Sequence, residues 1–175
     1  MRRLIILTGA SGSGKSAVAR FLATRAPWAD HTFHLDDIGV PTGAGWELFE
    51  DGESWQNWAT AKWIDHLATR DADLQLLDAQ TRPSFIQAAV EAHSDLEATI
   101  VLLDCSPDVR RHRLVELRDR AELANARMEN WAGYLRDQAE ELGIACIDTS
   151  RMSIEQVAKA VESIVDSGGS LADAV

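Results

Sequence analysis

Gly9-Ala10-Ser11-Gly12-Ser13-Gly14-Lys15-Ser16 follows the apolar run Leu4-Ile5-Ile6-Leu7 and leads into Ala17-Val18-Ala19-Arg20-Phe21-Leu22. That order reads as a strand, a glycine-rich turn and a helix. The spacing fits G-x-x-x-x-G-K-[ST], the phosphate-binding loop. Glycines let backbone N–H groups curl around an anion with no Cβ in the way. The new helix adds its unpaired N–H groups and the positive end of its dipole. Gly9, Ser11, Gly12, Ser13 and Gly14 are therefore candidate phosphate contacts. Lys15 would bridge the β- and γ-phosphates as a compact point charge, and Ser16 would place a hydroxyl on Mg²⁺.

Outward from the loop, the pattern alternates. Thr32-Phe33-His34-Leu35 reads as a second strand, Leu74–Asp78 as a third, Thr99–Asp104 as a fourth and Ile144–Asp148 as a fifth. Helices are expected over about 14–26, 53–69, 83–93, 107–118, 128–142 and from 154 onward. Within the second, Trp55, Ala59, Trp63 and Leu67 recur at spacings of four. Pro107 after Ser106 suits a helix start, and Ser153 with Gln156 makes a capping box. In the last helix Ile154, Val157, Ala158, Val161 and Val165 form an apolar stripe. Strands alternating with helices give the fold class: α/β, a five-stranded parallel sheet with helices on both faces, a three-layer sandwich. Ligands of such sheets bind beyond the carboxyl ends of the strands. Asp36, Asp37, Asp78, Asp104 and Asp148 are all expected at those ends.

Composition narrows the partners. The 175 residues suffice for one domain, expected over 1–168, with 169–175 as a flexible tail. A net charge of −11 argues against a nucleic-acid binder. No apolar run approaches the roughly 20 residues that span a bilayer. Met1-Arg2-Arg3-Leu4 superficially resembles a signal peptide, but its short apolar run leads directly into the loop, so a cytoplasmic protein is expected. Cys105 and Cys146 sit at or beside predicted buried strands and read as free core thiols. The five histidines, His31, His34, His66, His93 and His112, form no ligand-spaced pair. Basic residues are 14 Arg against 3 Lys, so Lys15 stands out.

By its loop the chain resembles the P-loop NTPase superfamily, and His34-Leu35-Asp36-Asp37-Ile38 looks like the segment in uridine kinase and nicotinamide riboside kinase relatives, where a strand ends in a basic Asp. The resemblance implies a small-molecule kinase, nucleoside or nucleotide favoured, using ATP and Mg²⁺. Asp36 would be the base beside the acceptor, and Asp37 would bind the acceptor or metal, or cap a turn. Asp78 occupies the place of the second acidic motif, which holds the Mg²⁺ shell. Arg82 follows that strand and could fork onto an acceptor phosphate or carboxylate, or lie free at a helix start. Arg110, Arg111, Arg113, Arg118 and Arg120 stand where small P-loop kinases carry a lid whose arginines close over ATP; the short lid would be about 116–127. Within it Arg118 and Arg120 are the nucleotide contacts, Arg118 also catalytic; Arg113 and Arg120 would share one face if the helix after the fourth strand continues that far. The other reading is a solvated face paired with Glu116 and Glu122. The loop 149–152 is where relatives surround the adenine. Trp46 belongs to an acceptor-binding segment of about 39–70, stacking on the acceptor or packing in the core. A kinase of an antibiotic or sugar hydroxyl, as in chloramphenicol phosphotransferase and gluconate kinase relatives, and a nucleotide-binding module with slow hydrolysis are the alternatives. Expected partners are ATP and a small acceptor, without nucleic acid or membrane, in a monomer or homodimer.

Overall fold

Backbone pairing in the computed structural model, which describes residues 2–167, begins on β1 (Arg2–Thr8). Its neighbours are β3 (Leu74–Asp78) and β4 (Leu96–Asp104), with β2 (Thr32–His34) beyond β3 and β5 (Ala145–Asp148) beyond β4. All four pairings are parallel, in the order β2-β3-β1-β4-β5. The helices are α1 (Lys15–Leu22), α2 (Gly52–Thr69), α3 (Pro83–Val90), α4 (Pro107–His112), α5 (Ala126–Glu141) and α6 (Ile154–Asp166).

Successive strand side chains point to opposite faces, so β1 feeds two cores. Ile5 and Leu7 pack with Val18 and Leu22 of α1 and with Val157, Val161 and Ile164 of α6. Leu4 and Ile6 pack with Ala59, Ile64 and Leu67 of α2 and Ile86 of α3. Leu102 of β4 adds Ala132, Leu135 and Ala139 of α5 on that second side. The expected three layers result, and β1 and β4 carry the continuous apolar runs Leu4–Leu7 and Ile100–Leu103 because both faces are covered there.

Several boundaries moved. β4 starts at Leu96, before its apolar run, because the ladder to β1 uses backbone groups and carries through Glu97 and Ala98. α1 stops at Leu22, where the next N–H groups turn to carbonyls three residues back. α5 starts at Ala126 because the Asn125 side chain caps it, accepting from the Met128 N–H. Between β2 and α2, Gly43–Leu48 forms a 3₁₀ turn before Asp51 and Ser54 close a capping box on α2. The box of Ser153 and Gln156 forms on α6, although Ile154 of its stripe is exposed. Trp63 is half-buried, spending its indole N–H on the Leu35 carbonyl at 3.0 Å.

Three expectations are corrected. The helix expected to run from 107 to 118 is α-helical only to His112, widens to a π turn over Arg113–Leu117, and breaks where Asp119 takes φ 50°. Arg113 and Arg120 therefore share no helix face. Cys105 is buried, but Cys146 is exposed. On the outer strand β5 only Ala145 and Ile147 turn inward, and the two-residue period puts Cys146 outside. Asp36 and Asp37 do not end β2; they lie one step past it in the 3₁₀ turn Leu35–Ile38. The expected tail, 169–175, lies outside the described residues.

Candidate functional site

The phosphate loop closes between β1 and α1 with left-handed backbone at three glycines. Gly9 takes φ 144°, and a Cβ there would collide with the Leu103 carbonyl oxygen. Gly14 takes φ 104° and its carbonyl accepts the first helical N–H groups, from Ala17 and Val18.

The outer side of the loop is held by arginines. Arg110 is fully buried; it donates to the Ser11 carbonyl at 3.3 Å, the Asp104 carboxylate at 2.7 Å and the Cys105 carbonyl at 3.0 Å. Its Nε lies 3.1 Å from Glu129 Oε1 on α5. Arg113 donates to the carbonyls of Gly12 and Ser13, each at 3.2 Å, and to the Thr149 hydroxyl at 2.9 Å. Occupying the loop carbonyls from behind orients the peptide dipoles. Both lie before the expected lid of about 116–127 and support the loop, and the wide turn after α4 begins at Arg113.

Lys15 is 6% exposed and donates to the Ala10 carbonyl at 3.2 Å. Burial lowers its pKa to about 8, with help from Arg118 and Arg110, while Asp78 and Asp36 pull the other way. Asp78 is also 6% exposed, and its carboxylate receives His34 Nδ1 at 2.9 Å. Burial pushes Asp78 up, but the hydrogen bonds from His34 and Ser16 and the Lys15 charge outweigh it, and the net shift is downward. Asp36 shifts upward, first from desolvation and then from Asp78, against Lys15.

Beside the loop a cleft of 330 Å³ is lined by Leu117, Arg118, Thr149, Met152, Ile154 and Val157. One end is cationic and the other apolar, as a nucleotide needs. A second cavity, of 860 Å³, opens between the first turns of α2 and α5. Gln80 lines it and accepts the Ser11 hydroxyl at 2.8 Å, so one hydrogen bond separates the loop from that cavity. The stretch between α4 and α5 serves both: Leu117 and Arg118 line the first, Glu122, Leu123 and Asn125 the second.

The donor chemistry of Ser16 and Asp78, a hydroxyl beside a carboxylate whose pKa it helps to lower, suits a hard cation such as Mg²⁺. Among the described residues no three His, Cys, Asp or Glu side chains are grouped to hold a metal alone. These two would thus supply part of a shell completed by phosphate and water.

No family model matches the chain. A gluconokinase from Sinorhizobium meliloti superimposes with a TM-score of 0.71 over 97% of this chain and 95% of that one, at 17% identity. Shikimate kinase from Acinetobacter baumannii, in complex with shikimate, gives 0.64 over 95% and 94%, at 18% identity. This is the P-loop kinase fold. A nucleotide-binding protein from Lactobacillus acidophilus is 32% identical over 142 residues, which are 80% of this chain and 42% of that protein. The chain therefore spans less than half the length of the curated relative it matches.

Within this fold the remaining candidates separate. Asp37 is exposed in the turn beside Asp36. Arg120 pairs with Glu122 on the surface, whereas Arg118 faces the nucleotide cleft. Trp46 packs edge-on against Trp55 at 6.1 Å and lines neither cavity. Arg82 lines the second cavity, donating to Gln56 at 2.6 Å and Glu53 at 2.7 Å, beside the rings of Phe85, Trp131 and Tyr134. It is thus not a bare surface cation. No described helix is long and apolar enough to cross a membrane.

His34 was overlooked as a site residue. Its pairing with Asp78 follows from the β2–β3 register, which sets the two opposite each other. An aromatic-free test of spacing could not find it, since 44 residues separate them.

Proposed function

We propose that this chain is an ATP-dependent small-molecule kinase that transfers the γ-phosphoryl group to a hydroxyl of a small acceptor, a nucleoside favoured. The observation that carries this reading is a second cavity that stands one hydrogen bond away from the phosphate loop. The phosphate loop opens to the cleft on one side, and Ser11 ties it to Gln80 of the second cavity on the other. A nucleotide hydrolase needs only the first.

In this reading Lys15 and the loop N–H groups hold the β- and γ-phosphates, and Ser16 and Asp78 hold the metal. Mg²⁺, when bound, neutralises charge that develops on the migrating phosphoryl. His34 is a positioning residue that fixes the Asp78 carboxylate by its 2.9 Å bond. Asp36 accepts the acceptor's hydroxyl proton; its upward-shifted pKa makes it a better base than an ordinary carboxylate. Arg118 adds positive charge at the phosphate end of the cleft. The stretch 116–127, which contributes to both cavities, is the lid, and 1–168 is one domain. Close approach of acceptor and phosphoryl, rather than covalent chemistry, supplies most of the rate.

The second reading, a nucleotide-binding module with slow hydrolysis, is favoured by one observation: the curated relative is named only for nucleotide binding. ADP release measured over a panel of nucleosides, sugars and antibiotics decides between them. Many-fold stimulation by one acceptor, lost in Lys15→Ala, is expected. Tight ATP binding with no stimulation by any acceptor would overturn the kinase reading.

A further inference from the structure

Resting on the kinase reading, we infer that the 860 Å³ cavity takes an uncharged, hydroxylated ring compound and turns away acceptors that carry phosphate or carboxylate. The lining contains Asp51, Glu53 and Glu122 against Arg82 and Arg127, an acidic excess. The cations offer little to an anion. Arg82 is the only enclosed one, its side chain 17% exposed, and its fork is already given to Glu53 and Gln56. An anionic acceptor would have to expel the Glu53 carboxylate and then sit beside it, with Asp51 and Glu122 near. Arg127 is exposed, where solvent and salt screen its charge.

The helix dipoles do not change this balance. Two long helices, α2 and α5, start at the cavity, but both starts are already capped. The Asp51 carboxylate accepts the Ser54 N–H at 2.8 Å, and the Asn125 side chain accepts the Met128 N–H at 3.0 Å. A ligand anion is not needed to satisfy them.

What the cavity leaves open is neutral. Gln80 spends its side-chain oxygen on Ser11 and its backbone carbonyl on Gln56, and its amide N–H₂ makes no hydrogen bond among the described residues. That donor stands at the end of the cavity nearest the phosphate loop. The Asn130 amide is likewise unused among the described residues. Trp131 and Tyr134 stack at 5.5 Å with their planes 18° apart, and the Arg82 guanidinium lies 5.0 and 5.6 Å from their ring centres. A stacked aromatic wall with planar amides around it fits a ring that is apolar on its face and hydroxylated at its rim. A nucleoside or a sugar has that form; a nucleoside monophosphate or a sugar acid adds the charge that the cavity opposes.

The test uses the full chain and matched probes: adenosine and uridine against their 5′-monophosphates, and glucose against gluconate and glucose 6-phosphate. Binding is measured by calorimetry without ATP, and ADP release with it. A neutral probe is expected to bind about tenfold or more tighter than its charged partner, since like charges brought together in an interface are strongly unfavourable. Glu53→Gln, an exposed substitution, is expected to shrink that ratio by freeing the Arg82 fork. Trp131→Ala is expected to weaken the neutral probe while leaving affinity for an ATP analogue unchanged. Charged probes binding as well as neutral ones, a ratio indifferent to Glu53→Gln, or no neutral probe binding at all would each overturn the inference. Neutral binding without ADP release would leave it standing and overturn the kinase reading. ADP release driven by the charged probes would do the reverse.

Discussion

The cleft beside the phosphate loop and the second cavity, one hydrogen bond away, are built from different materials. The nucleotide side is enclosed and charged: Lys15, Asp78 and Arg110 are buried, and every one of them has a polar partner at short range. The acceptor side of the kinase reading is lined by amides, a stacked aromatic pair and acids, Asp51 and Glu53 where α2 starts and Glu122 in the turn before α5. A buried charge is tolerated only with its partners in place, so the first region admits few substitutions. Asn130 and Tyr134 are exposed and Gln56, Gln80 and Trp131 half-buried, none of them charged, so the second region can change its ligand at lower cost. In the kinase reading, binding of the cosubstrate is thus separated from choice of acceptor.

Substitution tests that contrast most sharply. Lys15→Ala is expected to lower phosphoryl transfer by roughly 10³-fold or more while the thermal melt stays near wild type, because the side chain serves the phosphates and not the core. Near wild-type turnover would break the assignment. Asp36→Asn keeps size and hydrogen bonding but cannot take a proton at neutral pH. Turnover with a cognate acceptor is expected to fall by roughly 10²–10⁴-fold with ATP affinity little changed. If affinity and turnover collapse together, Asp36 belongs to the metal shell; if Asp37→Asn or Asp78→Asn alone reproduces the loss, the base is that residue.

Arg110→Leu probes the support behind the loop. It strips a partner from Asp104 and a donor from the Ser11 carbonyl, although Arg136 still holds Asp104 at 2.6 Å. A loss of about 3 kcal/mol in denaturant unfolding is expected, with weaker nucleotide binding. The exposed Glu53→Gln, on the acceptor side, should leave unfolding unchanged, and equal losses at both sites would dissolve the comparison.

The pH dependence is smaller. Lys15 titrates near 8 because burial penalises its charged form, and nucleotide phosphates restore that charge. ATP binding is therefore expected to take up a proton above that value, and affinity to fall roughly tenfold from pH 7 to pH 9. The same depressed pKa has the opposite sign for folding. The unfolded chain holds this proton up to about 10.5 and the folded one does not, so stability rises on this account between about 8 and 10.5. Flat ATP affinity across that range would show that Lys15 keeps its charge in the free protein. Smallest is the lid: hydrogen exchange across 116–127 is expected to slow with an ATP analogue bound, through Arg118, and equal protection in both states would refute closure.

The sequence by itself determined the phosphate loop, the alternation of strands and helices, and Asp78 at the end of β3. Those signals are local: a turn that needs glycine at positive φ, an apolar period, a cap beside its helix. Only the tertiary structure decided that His34 meets Asp78, because strand register joins residues 44 positions apart. It alone showed Arg110 and Arg113 to be loop supports, since the carbonyls they hold lie 99 and 101 positions away. The second cavity, which the kinase reading gives to the acceptor, was legible at Arg82 but not at Trp131, Tyr134 or Gln80, which look like ordinary helix and loop residues until α5 packs beside α3. Local propensity is written within a few residues, whereas a cavity belongs to elements brought together by burying their apolar faces on one sheet.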